Sequence, residues 1–503
     1  MAPNSDDKIG EAIDVVERST SVAGLPKEVE YFIDPAEDKR VIRKIDWVVM
    51  PTMMLVLFFQ YLDKQSINYA TVFSMNKDLG LTGQKFSWVV TTFYFGQLVS
   101  QYISAYFISR FHVVRVVGIT ILLWGVCEMC MGATQNFAGI ATTRFFLGLC
   151  EGAVSPGFVV ITSNWYKRRE HPIRIAIWTT SGGLATICGA VLMYLVGGAK
   201  HMAIANWRVM FLICGGSTLL IGVAFLFVMP LDTTKAWFLD ENERRIATER
   251  LALDRTTRDR AEFSVSQVKE TLRDPATWFY FLMALFICIP SPILKFSSLV
   301  INGFGFSPFQ TMLVGLPSGG VQILSNWVAA YGMIFTKGTR AFWGMFFSLV
   351  PLVGSITLLC LPKADRWGIV VSTWLAADSS SLMVISECMM ASNVKGNTKK
   401  SVVSAVFFVA YCVGCIIGPQ LWQAQDAPRY TKGCISSIVS WSLLVITYLG
   451  YYFYLRGQNK KRTRLIAISE ESEIAEGKTH DHLGVEVDSD MTDRQDLKFL
   501  YTL

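Results

Sequence analysis

Apolar stretches of about 20 residues with few charges recur along most of the chain, and this repetition limits what it can fold into. A helix of that length crosses the roughly 30 Å hydrocarbon core of a bilayer. One such stretch could be a buried core helix, but a dozen could not. Charged residues make up 17% of the chain, against about 25% in soluble proteins. The sequence therefore predicts an all-α protein that resides in a membrane.

Twelve candidate spans fall into two groups of six. The first group lies near residues 47–68, 86–107, 113–133, 137–163, 173–197 and 207–229. The second lies near residues 277–301, 309–335, 341–361, 367–389, 402–422 and 435–455. Asp378 and Glu387 interrupt the tenth span. We expect two pseudo-symmetric six-helix halves that enclose a site near the bilayer midplane.

This pattern divides the chain into five parts. They are an N-terminal segment (1–44), a six-helix bundle (45–229), a linker (230–275), a second bundle (276–456) and a tail (457–503). Within the linker, Asp240 followed by Glu243 is typical of a capped helix start. From Ser469 onward the tail is rich in Ser, Asp and Glu, so we expect it to be largely disordered.

Basic residues cluster on one side of the membrane if the twelve spans alternate. The clusters lie before the first span, after the fourth, through the linker, and after the eighth, tenth and last spans; the first comprises Lys39, Arg40, Arg43 and Lys44. The positive-inside rule then predicts cytoplasmic termini and a cytoplasmic linker. The first 31 residues contain no apolar segment, so we expect no cleavable signal peptide.

The sequence offers no pattern typical of a soluble enzyme, a metalloprotein or a nucleic-acid-binding protein. It has no P-loop, no dinucleotide glycine motif and only 5 His, and its 11 Cys lack metal-site or disulfide spacing. Its basic clusters are not interleaved with aromatic residues as a nucleic-acid surface would require. We therefore expect no enzyme activity, no cofactor and no metal. Without a P-loop, an ion gradient is the expected energy source for transport.

A charged side chain in a membrane span is costly, at roughly 2.5–3.5 kcal/mol on insertion scales, and therefore needs an explanation. Arg144 and Glu151, in the fourth span, are seven residues apart, so they share a helix face about 10 Å apart along the axis. Arg144 could bind an anion through its guanidinium group, and Glu151 could couple transport to protons. Alternatively, each pairs with a neighbouring helix and only holds the bundle together.

Other charged residues also lie in apolar spans. Asp63, beside Lys64 in the first span, could face a substrate cavity or cap the outer helix end. Lys295, after two prolines in the seventh span, could be a second anion contact or could extend to the outer interface. Glu128 in the third span has no obvious partner among its helical neighbours.

Arg144 to Gly157 has the spacing R-x-x-x-G-x-x-E-x-x-x-x-P-G, which resembles the anion:cation symporter branch of the major facilitator superfamily. Within that branch the chain is most similar to fungal allantoate-permease-like transporters, over most of residues 40–456. Other similar stretches are Tyr61 to Lys64 with Asn68 and Ala70, Asn164 to Glu170 with Arg174, Asn206 to Arg208 with Phe211, and Ala236 to Leu239 before Glu243.

The resemblance implies the major facilitator fold and assigns anion binding to Arg144 and proton coupling to Glu151. It implies carriage of acids such as ureido acids, short peptides or vitamin acids.

Two departures from the pattern of the superfamily stand out. The usual G-x-x-x-D-R-x-G-R-R loop after the second span keeps only Arg110 and Arg115, and the fifth span lacks the Gly-Pro motif of drug/proton antiporters, which favours uptake over export.

The leading hypothesis is proton-coupled uptake of a small organic anion by a monomer in the plasma membrane, with Arg144, Lys295 and Asp63 at the substrate and Glu151 carrying the proton. The alternative is an exporter of an organic acid or secondary metabolite on the same fold. A nutrient sensor would be expected to have a longer cytoplasmic tail than this chain has.

Overall fold

The computed structural model describes residues 34–167, 170–199, 203–254, 264–336, 338–362, 364–475, 491–496 and 499–503. Within these ranges the chain is helical and has no strand. Arg168 and Arg169 belong to the basic cluster after the fourth span, and Lys337 belongs to the cluster after the eighth. All three lie outside the described residues.

The first six spans are built from eight helices. They are α1 Pro35–Val72, α2 Lys85–Arg110, α3 Val113–Gly132, α4 Phe137–Glu151, α5 Val154–Trp165, α6 His171–Thr179, α7 Ser181–Gly198 and α8 Asn206–Val228. A one-turn helix, Met75–Asp78, follows α1. The linker contains a 3₁₀ turn, Thr233–Lys235, and the helices α9 Glu241–Asp254 and α10 Val265–Arg273.

The second six spans are also built from eight helices. They are α11 Pro275–Cys288, α12 Pro292–Gly303, α13 Pro308–Phe335, α14 Arg340–Cys360, α15 Arg366–Ala376, α16 Ser380–Asn393, α17 Asn397–Leu421 and α18 Thr431–Ala475. A 3₁₀ turn, Ala424–Asp426, precedes α18.

Several spans start or break where the sequence requires it. α13 begins with a capping box between Ser307 and Gln310, followed by a proline at its first position. The seventh span is broken between α11 and α12, at its two prolines. The tenth span is broken between α15 and α16, and Asp378 lies in that break. Such breaks are tolerated in a membrane where neighbouring helices cover the freed backbone groups.

Ten spans in the described residues are long and apolar enough to cross a membrane. The second and eighth spans, α2 and α13, are helices of 26 and 28 residues that contain more Ser, Thr, Gln and Asn. Both pack against the opposite half, where protein rather than lipid covers these polar groups. With these two helices, each of the twelve predicted spans corresponds to one helix or one pair of consecutive helices among the described residues.

The two halves meet through pairs of helices related by the symmetry of the fold. The second span (α2) packs against the eleventh (α17), and the fifth (α7) packs against the eighth (α13). The two pairs are equivalent when the first six spans are superposed on the second six. The α7–α13 contact is close, because a Cβ atom on Gly183 would lie 2.6 Å from the carbonyl oxygen of Gly319.

The linker binds each half separately. On the first half, the buried Arg250 of α9 donates to Asp38 at 2.7 Å and to Glu170 at 2.6 Å. On the second half, Lys399 at the start of α17 pairs with Asp274 at 2.6 Å, directly after α10. The residues between α9 and α10, 255–263, lie outside the described part of the chain. Each half is therefore bound to the linker by its own set of ion pairs, which we call the clasp of that half.

The expectation of a largely disordered tail is wrong for the described residues. Helix α18 continues to Ala475, well past the apolar part of the last span. Further on, Asp493 lies 2.9 Å from Nζ of Lys399, and the hydroxyl of Tyr501 donates to Asp493 at 2.8 Å. Arg462 of α18 donates to the Tyr501 hydroxyl at 2.8 Å. In the described part of the tail, Asp493 and Asp496 form ion pairs with Lys399 and Lys395 of the second half.

Candidate functional site

Helix α4 brings Arg144 and Glu151 to the interior of the first half. Their side chains are 3% and 0% exposed, and seven residues place them on one face as predicted. The same face of α4 packs tightly on α2, since a Cβ atom on Gly148, which lies between the two charged residues, would be 1.9 Å from the carbonyl oxygen of Phe93. A glycine here permits close backbone approach and fixes the direction in which the two charged side chains point.

Glu151 forms an ion pair with Lys64 of α1. Nζ of Lys64 lies 2.6 Å from Oε1 of Glu151, and both side chains are largely buried. The ammonium group also lies 5.7 Å from the ring centre of Tyr61 and 5.9 Å from that of Phe93, within cation–π distance. Oε2 of Glu151 has no hydrogen-bond partner among the described residues. Sequence reasoning missed this pairing; the signal available was a lysine in an apolar span.

Arg144 is a buried guanidinium group without an ion-pair partner among the described residues. Its Nε and Nη2 atoms are inaccessible to solvent and make no hydrogen bond there. Glu128, Glu151 and Asp63 lie close enough to attract it electrostatically, but none lies within ion-pair distance. Buried polar groups are nearly always hydrogen-bonded, so the open donors of this guanidinium group need an explanation.

Lys295 of α12 reaches across to the first half. Its Nζ donates to the backbone carbonyl of Lys64 at 2.9 Å, and the residue is 7% exposed. The alternative in which this lysine extends to the outer interface is therefore wrong. Lys295 belongs to the same buried cluster as Lys64, Arg144 and Glu151, and it links this cluster to the second half.

Asp63 lies inside the first half, well before the end of α1. Its Oδ2 accepts hydrogen bonds from Nε1 of Trp124 at 2.7 Å and from the hydroxyl of Thr218 at 3.1 Å. The alternative in which Asp63 caps the outer helix end is therefore wrong. Glu128 does have a partner, the hydroxyl of Ser66 at 2.9 Å, on the following turn of α1.

The two halves are closed against each other on the side away from the linker. Asn68 donates to the hydroxyl of Ser297 at 3.2 Å and accepts from the backbone of Ser298 at 3.3 Å. Gln420 of α17 donates to Thr91 of α2 at 2.9 Å. Beside the Asn68 contacts lies a narrow cavity of 20 Å³ lined by residues of α1, α7, α12, α13 and α15, enough for about one water molecule. The charged cluster is therefore shielded from this side.

Known proteins resemble the chain over nearly its whole length. Residues 53–419 match the Major Facilitator Superfamily. An uncharacterized transporter of Schizosaccharomyces pombe is 33% identical over 476 residues, which cover 94% of this chain and 91% of the relative. The allantoate permease of Saccharomyces cerevisiae is 29% identical over 523 residues, which cover 100% and 93%.

The fold is similar to that of a solved transporter. The xylose transporter XylE from E. coli, in a partially occluded inward-open conformation, superposes with a TM-score of 0.60. The match covers 79% of this chain and 96% of that chain at 11% sequence identity, so it shows the fold alone. With the family match and the transporter relatives, it identifies this chain as a multi-pass membrane protein of the Major Facilitator Superfamily.

Proposed function

We propose that the chain takes up a small organic anion together with protons, by alternating access of one central site. The observation that carries this proposal is Arg144, a buried guanidinium group with open hydrogen-bond donors. The planar group matches a carboxylate bidentately. Lys295 is the second anion contact, from the opposite half. One chain supplies all of these groups, so we propose that a monomer transports.

Charge balance gives the reason for proton coupling. The cluster contains three cationic side chains, Lys64, Arg144 and Lys295, and three carboxylates, Asp63, Glu128 and Glu151. An entering anion adds a negative charge to a site of low dielectric, where an unbalanced charge is costly. Protonation of Glu151 would restore the balance and release Lys64 toward the substrate.

We propose different roles for the other two carboxylates. Asp63 already accepts two hydrogen bonds within the first half, so we propose that it contributes to substrate binding by orienting α1 and, through it, Lys64. Glu128 holds the next turn of α1 through Ser66. Both carboxylates also attract Arg144 and hold it in the cluster while the site is empty.

We propose the substrate class from the presence of one arginine and one lysine in the cluster, one from each half. This arrangement fits a compact solute with one carboxylate. One relative is named an allantoate permease, and allantoate is such a carboxylate. We propose vitamin acids, ureido acids and similar carboxylates as the candidate range. The basic residues on the linker side support cytoplasmic termini, and we propose the plasma membrane as the location.

The test is uptake of radiolabelled nicotinate, pantothenate, biotin and allantoate into cells that express the chain, at pH 5 and pH 7. We expect accumulation of at least one acid to be greater at pH 5. Arg144→Ala should abolish it, and Arg144→Lys, which keeps the charge but loses the planar group, should retain only part of it. Glu151→Gln should also abolish accumulation at both pH values, because it removes the carboxylate that we propose carries the proton.

Arg456→Ala is the matched control, because Arg456 is an exposed arginine of α18 outside the site. Surface expression of every variant is measured beside uptake. Unchanged uptake in Arg144→Ala would contradict the proposed anion site. Faster loss of preloaded acid, with no uptake above that of empty cells, would contradict import and support the alternative of an exporter.

A further inference from the structure

An open groove lies on the first half, far from the charged cluster, where α1 meets the connection between α8 and α9. Its volume is 710 Å³, and its lining includes Lys39, Arg40, Arg43, Lys44 and Trp47. A groove of this size can hold a small organic group. The proposed transport mechanism does not use it.

The groove lies at the level of the membrane surface. α1 has 38 residues, or about 57 Å, whereas the hydrocarbon core is about 30 Å thick, so its first turns extend beyond the core. Trp47 is 81% exposed, as expected for an interfacial anchor facing lipid. Phe238 lines the groove from the connection between α8 and α9, and its neighbour Trp237 is 61% exposed and donates to the carbonyl oxygen of Val228, the last residue of α8.

One face of α1 carries the charge. Lys39, Arg40, Arg43 and Trp47 follow a spacing of three and four residues, so they lie on the same side of the helix. The opposite side, with Val41 and Ile45, is buried in the bundle. The basic side chains are therefore held in fixed positions by a packed helix, unlike those of a flexible basic tail.

Few carboxylates neutralise this face. Lys44 pairs with Glu243 at 2.7 Å. Arg40 makes only a 3.8 Å contact with the same carboxylate, and its side chain is 74% exposed. Lys39 and Arg43 have no ion-pair partner among the described residues. Three cations thus remain available beside an exposed tryptophan, which fits an anionic group attached to an apolar chain.

We propose that this groove binds the headgroup of an anionic phospholipid from the leaflet on the linker side. Arg40, Arg43 and Lys39 would contact the phosphate and the acidic headgroup, and Trp47 would lie along the upper part of an acyl chain. Because Lys44 and Arg40 of the groove contact Glu243 of α9, the lipid would bind beside the ion pairs that hold the linker to the first half.

The experiment titrates the full-length protein in detergent with phosphatidylserine or with phosphatidylcholine of the same acyl chains, and detects bound lipid by native mass spectrometry. We expect one phosphatidylserine to bind at least tenfold more tightly than phosphatidylcholine. Lys39→Gln/Arg43→Gln should weaken phosphatidylserine binding about tenfold or more, and Trp47→Ala should weaken both lipids. The same concentration of inorganic phosphate should not displace the lipid.

The matched control is Lys460→Gln/Lys461→Gln, which removes two exposed charges from α18 on the same side of the membrane. Thermal unfolding of each variant shows whether it is folded, and the single substitutions at Lys39 and Arg43 repeat the test with smaller changes. Equal binding of the two lipids, or equal losses in both double variants, would overturn the proposal. So would displacement by inorganic phosphate. Occupation of the groove by the chain's own acidic N-terminal residues would leave no bound lipid and would also overturn it.

Discussion

Each charged residue of the central cluster has a distinct set of contacts, and these contacts decide what its substitution should do. Glu151 is wholly buried and paired with Lys64. Removing one partner of a buried pair leaves an uncompensated charge, at a cost of roughly 3–5 kcal/mol, whereas replacing both partners is often close to neutral. This difference separates a structural pair from two residues that act independently.

We therefore predict that Lys64→Met lowers the unfolding temperature of the purified protein, and that Lys64→Met/Glu151→Gln recovers most of the loss. On the proposed function, both variants should fail to accumulate substrate, because Glu151, which we propose carries the proton, or its partner is missing. Thermal unfolding in detergent measures the first effect, and uptake measures the second. Lys460→Met, at an exposed position, should change neither. Losses that simply add up in the double variant would contradict the pairing.

The sequence was sufficient to predict which residues are buried and charged, but not which of them meet. Helical geometry placed Arg144 and Glu151 on one face of the same helix, and the structure agrees. The Lys64–Glu151 pair depends on the position of α1 relative to α4, and the contact of Lys295 depends on how the two halves dock. The roles of Asp63 remained open for the same reason, since its partners lie on α3 and α8.

At the scale of elements, the linker helices are clasps held by ion pairs. Glu243 of α9 is largely buried, accepts from Lys44 at 2.7 Å and also accepts from the backbone of Asp240. The second bond, from the backbone of the predicted cap residue Asp240 to the side chain of Glu243, belongs to the helix start that the sequence predicts. Desolvation opposes the charged form of Glu243, but the hydrogen bond from Lys44 and the nearby charges outweigh it, so its pKa lies below the ordinary value of 4.5.

This lowered pKa predicts a pH-dependent clasp. A carboxylate whose pKa is lower in the folded than in the unfolded state stabilises the fold above the unfolded pKa, and this contribution is lost as the pH falls through the folded pKa. The unfolding temperature of Glu243→Gln should therefore lie below that of the unmodified protein at pH 7. The gap should shrink as the pH falls below about 4.5.

The control for this prediction is Glu241→Gln. Glu241 lies two residues before Glu243, and its side chain is exposed. It should show no gap at either pH. Thermal unfolding in detergent across pH 3.5–7 measures both variants. A gap in Glu243→Gln that persists unchanged at the lowest pH would show that the glutamate stabilises α9 by packing and not by its charge.

At the scale of the whole molecule, each half has its own ion pairs to the linker, and a small set of hydrogen bonds joins the two halves on the side away from the linker. The sequence predicted the two groups of six spans because length and apolar composition are local properties. It could not predict which side is closed, because that depends on contacts between residues far apart in the chain. Asn68 supplies two of these contacts, and an intramolecular hydrogen bond is worth about 0.5–1.5 kcal/mol.

Asn68→Ala should therefore shift the population toward opening on the side away from the linker, by about fivefold to a hundredfold for the two hydrogen bonds together. Hydrogen–deuterium exchange of α12 should become faster in this variant, because Ser297 and Ser298 lose their cross-half partner. Asn206→Ala is the matched control: Asn206 donates to the carbonyl of Gly197 at 3.0 Å, on the same side but within the first half. Faster exchange of α12 in both variants would indicate general loosening of the fold. Unchanged exchange in Asn68→Ala would show that helix packing such as the close α7–α13 contact, and not these hydrogen bonds, keeps that side closed.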